Sequence, residues 1–105
     1  MKTFEIESYG EVHDVYIQKN VYAYNDNLCL DLIDICGEPW SNLTVNFDIP
    51  LNKDEGFIDV NHNPGICEIL IEKGIAKPTG KTVKSGYIIY PLYRFDFDVL
   101  NSYVA

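Results

Sequence analysis

The chain has 105 residues, with 16 acidic side chains against 8 basic ones, which gives a formal net charge of −8. A chain of this length folds to roughly 6,000 Å² of surface and supports one hydrophobic core but not two. Its 47% hydrophobic and 13% aromatic content is too high for a disordered chain. We therefore expect one folded domain, residues 1–105, whose charge disfavours nonspecific binding to phosphate backbones or anionic lipids.

The start of the chain and the cysteines indicate where the protein works. Residues 1–10 alternate polar and apolar and contain two glutamates, unlike a signal peptide, and no stretch approaches the ~20 apolar residues of a membrane span. The three cysteines, Cys29, Cys36 and Cys67, match neither a disulfide framework nor a zinc pair in spacing. We expect a protein that stays in the cytoplasm where it is made, with no membrane partner and with reduced, mostly buried thiols.

The first third of the chain has the pattern of strands. Residues 4–8 alternate polar and apolar before Gly10, which predicts a first strand and a turn. Residues 12–24 are rich in β-branched and aromatic side chains and predict a long second strand. The cluster Asn25-Asp26-Asn27 predicts a turn, and the apolar run 28–36 predicts a mostly buried strand, with a short helix as the alternative.

The middle of the chain predicts two more strands and a helix. Residues 43–49 alternate apolar and polar most regularly, and residues 57–60 form a short apolar run. Asn63 suits a helix N-cap, Pro64 the first helical position and Gly74 the left-handed residue beyond the end. These signals predict a helix of about ten residues, near 64–73.

The last third completes an α+β pattern. Residues 77–86 are rich in Gly, Lys and Thr and predict an exposed loop, whereas the aromatic run 87–97 predicts a strand that Pro91 confines to an edge or a bulge. Residues 99–103 predict one terminal helical turn. We expect one antiparallel sheet of five to seven strands with one helix packed on it.

No segment carries a complete catalytic, cofactor or metal signature. The Gly80-Lys81-Thr82 triplet imitates the end of a phosphate loop, but a strand pattern follows it where a helix is required. Cys67 in the first turn of the predicted helix, with His62 upstream, is the best nucleophile candidate, yet a thiol among apolar residues ordinarily belongs to the core. We therefore predict a protein that is not an enzyme and needs neither cofactor nor metal.

The charge is unevenly distributed along the chain. Residues 1–72 carry 14 acidic side chains against 3 lysines, a net −11, whereas residues 73–105 carry 2 against 5 basic ones, a net +3. An acidic strand face can imitate the field of nucleic acid and occupy a cationic groove. The predicted acidic face consists of Glu5, Glu7, Glu11, Asp14, Asp31, Asp34, Glu38 and Asp48. The alternative is a nucleic-acid contact within residues 73–94, formed by Lys77, Lys81, Lys84 and Arg94.

The segments FEIESYGEV, LTVNFDIPL and VNHNPGICEILIEKGIAKPTGKTVKSGYIIYPLYRFD carry a resemblance over nearly the whole chain. It resembles a family of small domains that phages and mobile elements of bacteria encode, most specifically at residues 61–80 and 86–97. It is also similar to the small acidic inhibitors of type II CRISPR systems. The resemblance implies a non-enzymatic inhibitor that binds Cas9, with or without guide RNA, and blocks DNA targeting or cleavage. The alternative is an accessory nucleic-acid-binding domain of a mobile element.

Overall fold

The computed structural model describes all residues 1–105 and consists of eight strands and two short helices. Every paired strand runs antiparallel to its neighbours, so the predicted α+β class with antiparallel strands is confirmed. In chain order the elements are β1 (Phe4–Ser8), β2 (Glu11–Val21), β3 (Leu28–Asp34), β4 (Pro39–Asn42), β5 (Thr44–Val45), β6 (Glu55–Ile58), α1 (Ile66–Glu72), β7 (Ala76–Ser85), β8 (Ile88–Phe95) and α2 (Phe97–Asn101).

The eight strands form two sheets of four, instead of the single sheet of five to seven strands that we expected. Sheet A has the order β1-β2-β3-β4, and sheet B has the order β5-β6-β8-β7. Leu43 joins them, because its N–H donates to Leu30 of sheet A at 2.9 Å and its carbonyl accepts from Asp59 at 2.9 Å. The chain therefore passes from one sheet to the other at the end of β4.

The main core lies between the two sheets and the helices. It includes Val15, Ile17, Leu30 and Leu32 from sheet A, and α1 adds Ile66 and Leu70. Alternation along the strands assigns these side chains to the inner face of sheet A and leaves every second residue on its outer face. The total accessible surface of 6434 Å² agrees with one core for this chain length.

Two predicted elements, at residues 43–49 and 77–86, are wrong. The segment 43–49 pairs only at Thr44–Val45, because Phe47 turns back over the outer face of sheet B and packs against Phe57 and Tyr90 at 5.4 Å. The predicted loop 77–86 is instead most of the ten-residue strand β7, which pairs with β8 around a bulge between Pro78 and Thr82. In β7, pairing with β8 overrides the weak strand preference of glycine and lysine. In the segment 43–49, by contrast, strand pairing stops after Val45 although the local pattern favours a strand.

The helices differ from the sequence prediction at their starts. The first helix begins at Ile66 and not at Pro64, because Gly65 has a φ of 80° and the Asn63 side chain donates to Asn42 and Asp59 instead of capping the helix. Its end beside Gly74, with a φ of 71°, is confirmed. The terminal turn is confirmed as α2, and none of the helices is long and apolar enough to cross a membrane.

Candidate functional site

Four of the predicted acidic residues lie on the outer face of sheet A, and we call this surface the acidic face. Glu5 and Glu7 alternate with the inward-facing residues of β1, and Asp14 and Asp31 do the same on β2 and β3. The register between β2 and β3 is fixed by the buried residues of the inner face, so these carboxylates cannot exchange sides without exposing the core. The acidic face is thus a fixed property of the fold.

Two carboxylates of the acidic face repel each other, and a third is partly removed from water. Glu5 stands directly opposite Asp14 in the β1–β2 register, a placement in which like charges repel. Asp31 is half-buried, and this burial raises the pKa of its carboxyl above the ordinary value. An approaching cation relieves both penalties, because it neutralises the paired charges and compensates for the lost hydration of Asp31.

Glu11 and Asp34 do not belong to the acidic face, which corrects the sequence prediction. Both point to the inner side of sheet A, where His13 lies between them with Nδ1 at 3.1 Å from Asp34 and Nε2 at 3.2 Å from Glu11. Asp34 also accepts the backbone N–H of Cys36, and this bond, followed by the bond to His13, holds its pKa below the ordinary value. These two carboxylates have partners within the fold.

Glu38 and Asp48 lie apart from the acidic face as well. Glu38 is exposed in the turn between β3 and β4, and Asp48 belongs to the segment that covers sheet B, where the Tyr24 hydroxyl donates to it at 3.5 Å. The predicted set of eight carboxylates is therefore divided, with four on one face and four elsewhere. Sequence alternation alone did not give the bulges and turns that separate them.

An open groove of about 740 Å³ continues from the acidic face over the edge strand β4. Asp31 belongs to both surfaces, so the groove and the acidic face are contiguous. No sequence pattern predicts this groove, because it forms where β4 lies beside the turn between β1 and β2. Its lining consists of Ser8, Tyr9, Gln18, Asp31, Ile33, Pro39, Trp40, Ser41, Asn42, Asp59 and His62.

The Asp59–His62 pair is the most ordered polar arrangement of the groove. The Asp59 side chain is 8% exposed and accepts from both the backbone N–H and the ring Nδ1 of His62, the latter at 2.8 Å. Because a carboxylate only accepts, Nδ1 carries the proton, and Nε2 of the neutral ring is left as a hydrogen-bond acceptor. The ring is 71% exposed, so this acceptor is open to a ligand. The spacing Asp-x-x-His is the only sequence signal for this pair.

The predicted basic patch is divided by the register of the β7–β8 hairpin. Lys77 and Arg94 stand opposite each other on one face, whereas Lys84 stands opposite Ile89 on the other face, and Lys81 lies in the bulge. Arg94 approaches the buried Glu55 at 3.5 Å and Asp54 at 3.9 Å. Its charge is therefore largely compensated inside the fold.

The position of β7 suggests a structural role for these lysines. β7 is an edge strand of sheet B, and its free edge offers unpaired backbone groups to other chains. Lys77, Lys81 and Lys84 together with Pro78 are residues that protect such an edge against pairing with another strand. This placement accounts for the lysine-rich composition without a ligand.

The cysteines show no activation. Cys29, Cys36 and Cys67 are free, and Cys36 is exposed, contrary to the expectation of mostly buried thiols. Burial raises the pKa of the Cys67 thiol, although its hydrogen bond with Tyr93 acts in the opposite direction. A nucleophilic thiol requires a lowered pKa, so this site does not support the nucleophile that the sequence offered as its best candidate.

The fold and the site define a small α+β domain whose distinguishing surface is a strongly acidic sheet face with an adjoining groove. A family model described as "Domain of unknown function (DUF4313)" matches residues 3–105, and the chain therefore belongs to the DUF4313 family. No curated protein and no solved structure matches the chain.

Proposed function

We propose that this protein acts without catalysis, by binding a basic protein partner through the acidic face. The observation that carries the proposal is that the outward positions of β1, β2 and β3 hold Glu5, Glu7, Asp14 and Asp31 but no lysine or arginine. Lys73 at the end of α1 lines a hollow with Glu5 and Asp14 and offsets part of their charge. The remaining negative charge on this rigid face produces a potential that steers and orients a positively charged partner.

The proposed partner is a nucleic-acid-binding effector of the bacterial host, because such proteins carry the cationic channels that an acidic surface fits. Cas9 is the specific candidate, since its target channel is positively charged and the sequence resembles small acidic inhibitors of type II CRISPR systems. In this proposal the acidic face competes with target DNA or blocks a later step of cleavage.

A cleavage assay at rising ratios of this protein to Cas9, run beside a pull-down, tests the proposal. The informative variant is Glu5→Gln/Glu7→Gln/Asp14→Asn, and the matched control is Asp26→Asn/Glu38→Gln/Asp48→Asn, which removes the same charge at exposed positions outside the acidic face. We expect inhibition to weaken about tenfold or more in the first variant only, because each lost charge pair contributes of the order of 1 kcal/mol. Equal effects of both variants, or no binding to several Cas9 subtypes, would contradict the proposal.

A second candidate function is nucleic-acid binding by the segment 73–94, in an accessory domain of a mobile element. The β7–β8 hairpin favours it, because its tip presents Lys84 beside the fully exposed Tyr87, and aromatic and cationic side chains together suit single strands. A gel shift with DNA and RNA that weakens with salt and is lost in Lys81→Gln/Lys84→Gln would support this function.

A further inference from the structure

The geometry of the groove points to an arginine side chain of the partner protein as its occupant, and this inference rests on the proposed function. The groove adjoins the acidic face at Asp31, so a segment docked on that face reaches it without a gap. Its volume of about 740 Å³ lies within the range of sites that enclose small ligands and side chains.

The lining of the groove selects a cation. It contains the carboxylates of Asp31 and Asp59 and no lysine or arginine. The open Nε2 of His62 is a further acceptor, as are the side-chain oxygens of Gln18 and Asn42. A ligand that brings several donors and a positive charge satisfies this lining, whereas an anion meets repulsion from both carboxylates.

Two aromatic side chains favour arginine over lysine. Trp40 and Tyr9 both line the groove, and a planar guanidinium stacks on such rings while its five N–H groups bind carboxylates in the plane. A lysine ammonium lacks the planar shape and the paired donors. An arginine side chain would therefore use both the carboxylates and the aromatic rings of the groove lining.

The indole ring of Trp40 is held before any ligand arrives. The Trp40 ring packs against His13, with 4.1 Å between the ring centroids, and His13 is in turn fixed by Glu11 and Asp34. Fixing the indole in advance reduces the ordering cost of binding. The groove is therefore prepared for a stacked ligand.

Trp40 is the single tryptophan of the chain, so tryptophan fluorescence reports on the surroundings of this one side chain in the groove lining. The probe is the blocked peptide acetyl-Gly-Arg-Gly-amide, compared with the citrulline and lysine versions of the same peptide. We expect a saturable fluorescence change with the arginine peptide, a weaker response with lysine and none with citrulline, which is neutral. An equal response to arginine and citrulline, or no response to any peptide, overturns the inference.

Two variants locate the binding. Asp31→Asn should weaken arginine-peptide binding about tenfold, because it removes the charge that pairs with the guanidinium, whereas Asp48→Asn on the other sheet should leave it unchanged. Unchanged binding in Asp31→Asn overturns the inference. If the peptide fails to bind while Glu5→Gln/Glu7→Gln/Asp14→Asn still abolishes partner binding, the groove inference falls and the proposed function stands. If the peptide binds but these acidic-face substitutions leave partner binding intact, the proposed function falls.

Discussion

Glu5 of β1 lies directly opposite Asp14 of β2 on the outer face of sheet A. Two carboxylates in this cross-strand position repel each other and reduce the stability of the sheet by a few tenths of a kcal/mol. The outward positions of the three strands hold no basic side chain, and the lysine that lines a hollow with both carboxylates is Lys73 at the end of α1. The repulsion in this pair is the cost to the fold that the proposed contact with a basic partner would relieve.

Replacing Glu5 by lysine should stabilise the protein, because it turns the repulsive pair with Asp14 into an attractive one. We expect Glu5→Lys to raise the free energy of unfolding by about 0.5–1 kcal/mol in urea titrations at low salt, and less at high salt. The control is Glu38→Lys, which makes the same charge change in an exposed turn. An equal gain from the control would show that net charge alone is responsible.

Tyr9 should be replaceable by asparagine with a gain in stability and a loss in binding. Tyr9 has a φ of 52° in the turn between β1 and β2, where Gly10 also has a positive φ, and its side chain is fully exposed in the groove lining. Asparagine tolerates this conformation, so Tyr9→Asn should add about 0.5–1 kcal/mol to the free energy of unfolding. It should also weaken the binding of the arginine peptide. A loss of stability would refute the strain at this turn.

Replacing Asn63 should lower the free energy of unfolding more than replacing most other polar residues. It is 8% exposed, and its amide donates to the carbonyls of Asn42 at 2.7 Å and Asp59 at 3.0 Å while its oxygen accepts from Ser41. Asn63→Ala leaves these groups without partners and should cost about 2–3 kcal/mol in chemical unfolding. The exposed Asn61→Ala is the control and should change stability by less than about 0.5 kcal/mol.

Substitution of Asp31 and substitution of Asp34 should change the stability of the fold in opposite directions. Burial raises the pKa of Asp31, so its ionisation opposes folding as the pH rises through that raised value, and Asp31→Asn should be more stable than the native chain at neutral pH. Hydrogen bonds from Cys36 and His13 lower the pKa of Asp34, so its charge stabilises the fold above its ordinary pKa.

That stabilisation by Asp34 is lost as the pH falls through its lowered pKa in the folded protein. Asp34→Asn should therefore be less stable than the native chain at neutral pH. Thermal unfolding from about pH 7 to pH 2 measures both effects, and the difference of each variant from the native chain should shrink at the acid end, where both carboxyls are protonated. Two variants that shift stability in the same direction at neutral pH would contradict these environments.

The sequence predicts local elements well where burial and local chemistry agree. The alternation of residues 4–8 gives β1, and Gly74 marks the end of α1, as the structure confirms. The segment 43–49 alternates equally well, yet Leu43 is buried in the main core whereas the half-buried Phe47 packs on the outer face of sheet B, and the chain between them leaves strand pairing after Val45. The periodicity of a sequence indicates which side chains are buried, but it does not indicate which sheet or helix they pack against.

The candidate site was predictable only in part for the same reason. Alternation correctly assigned Glu5 and Glu7 to a solvent-facing side, but the sequence could not show that Asp34 turns inward to His13. The groove beside Trp40 depends on the placement of β4, which no local sequence pattern predicts. Surfaces made by distant segments require the register between strands.

Labelling of carboxylates with a carbodiimide, followed by mass spectrometry of the complex with Cas9, tests most directly which surface makes the contact. We predict that Glu5, Glu7 and Asp14 become protected in the complex, whereas Glu38 and Asp48 react as they do in the free protein. Unchanged labelling of the acidic face in a complex that does form would contradict this account, above all if parallel labelling with an amine-reactive reagent showed the lysines of the β7–β8 hairpin protected instead.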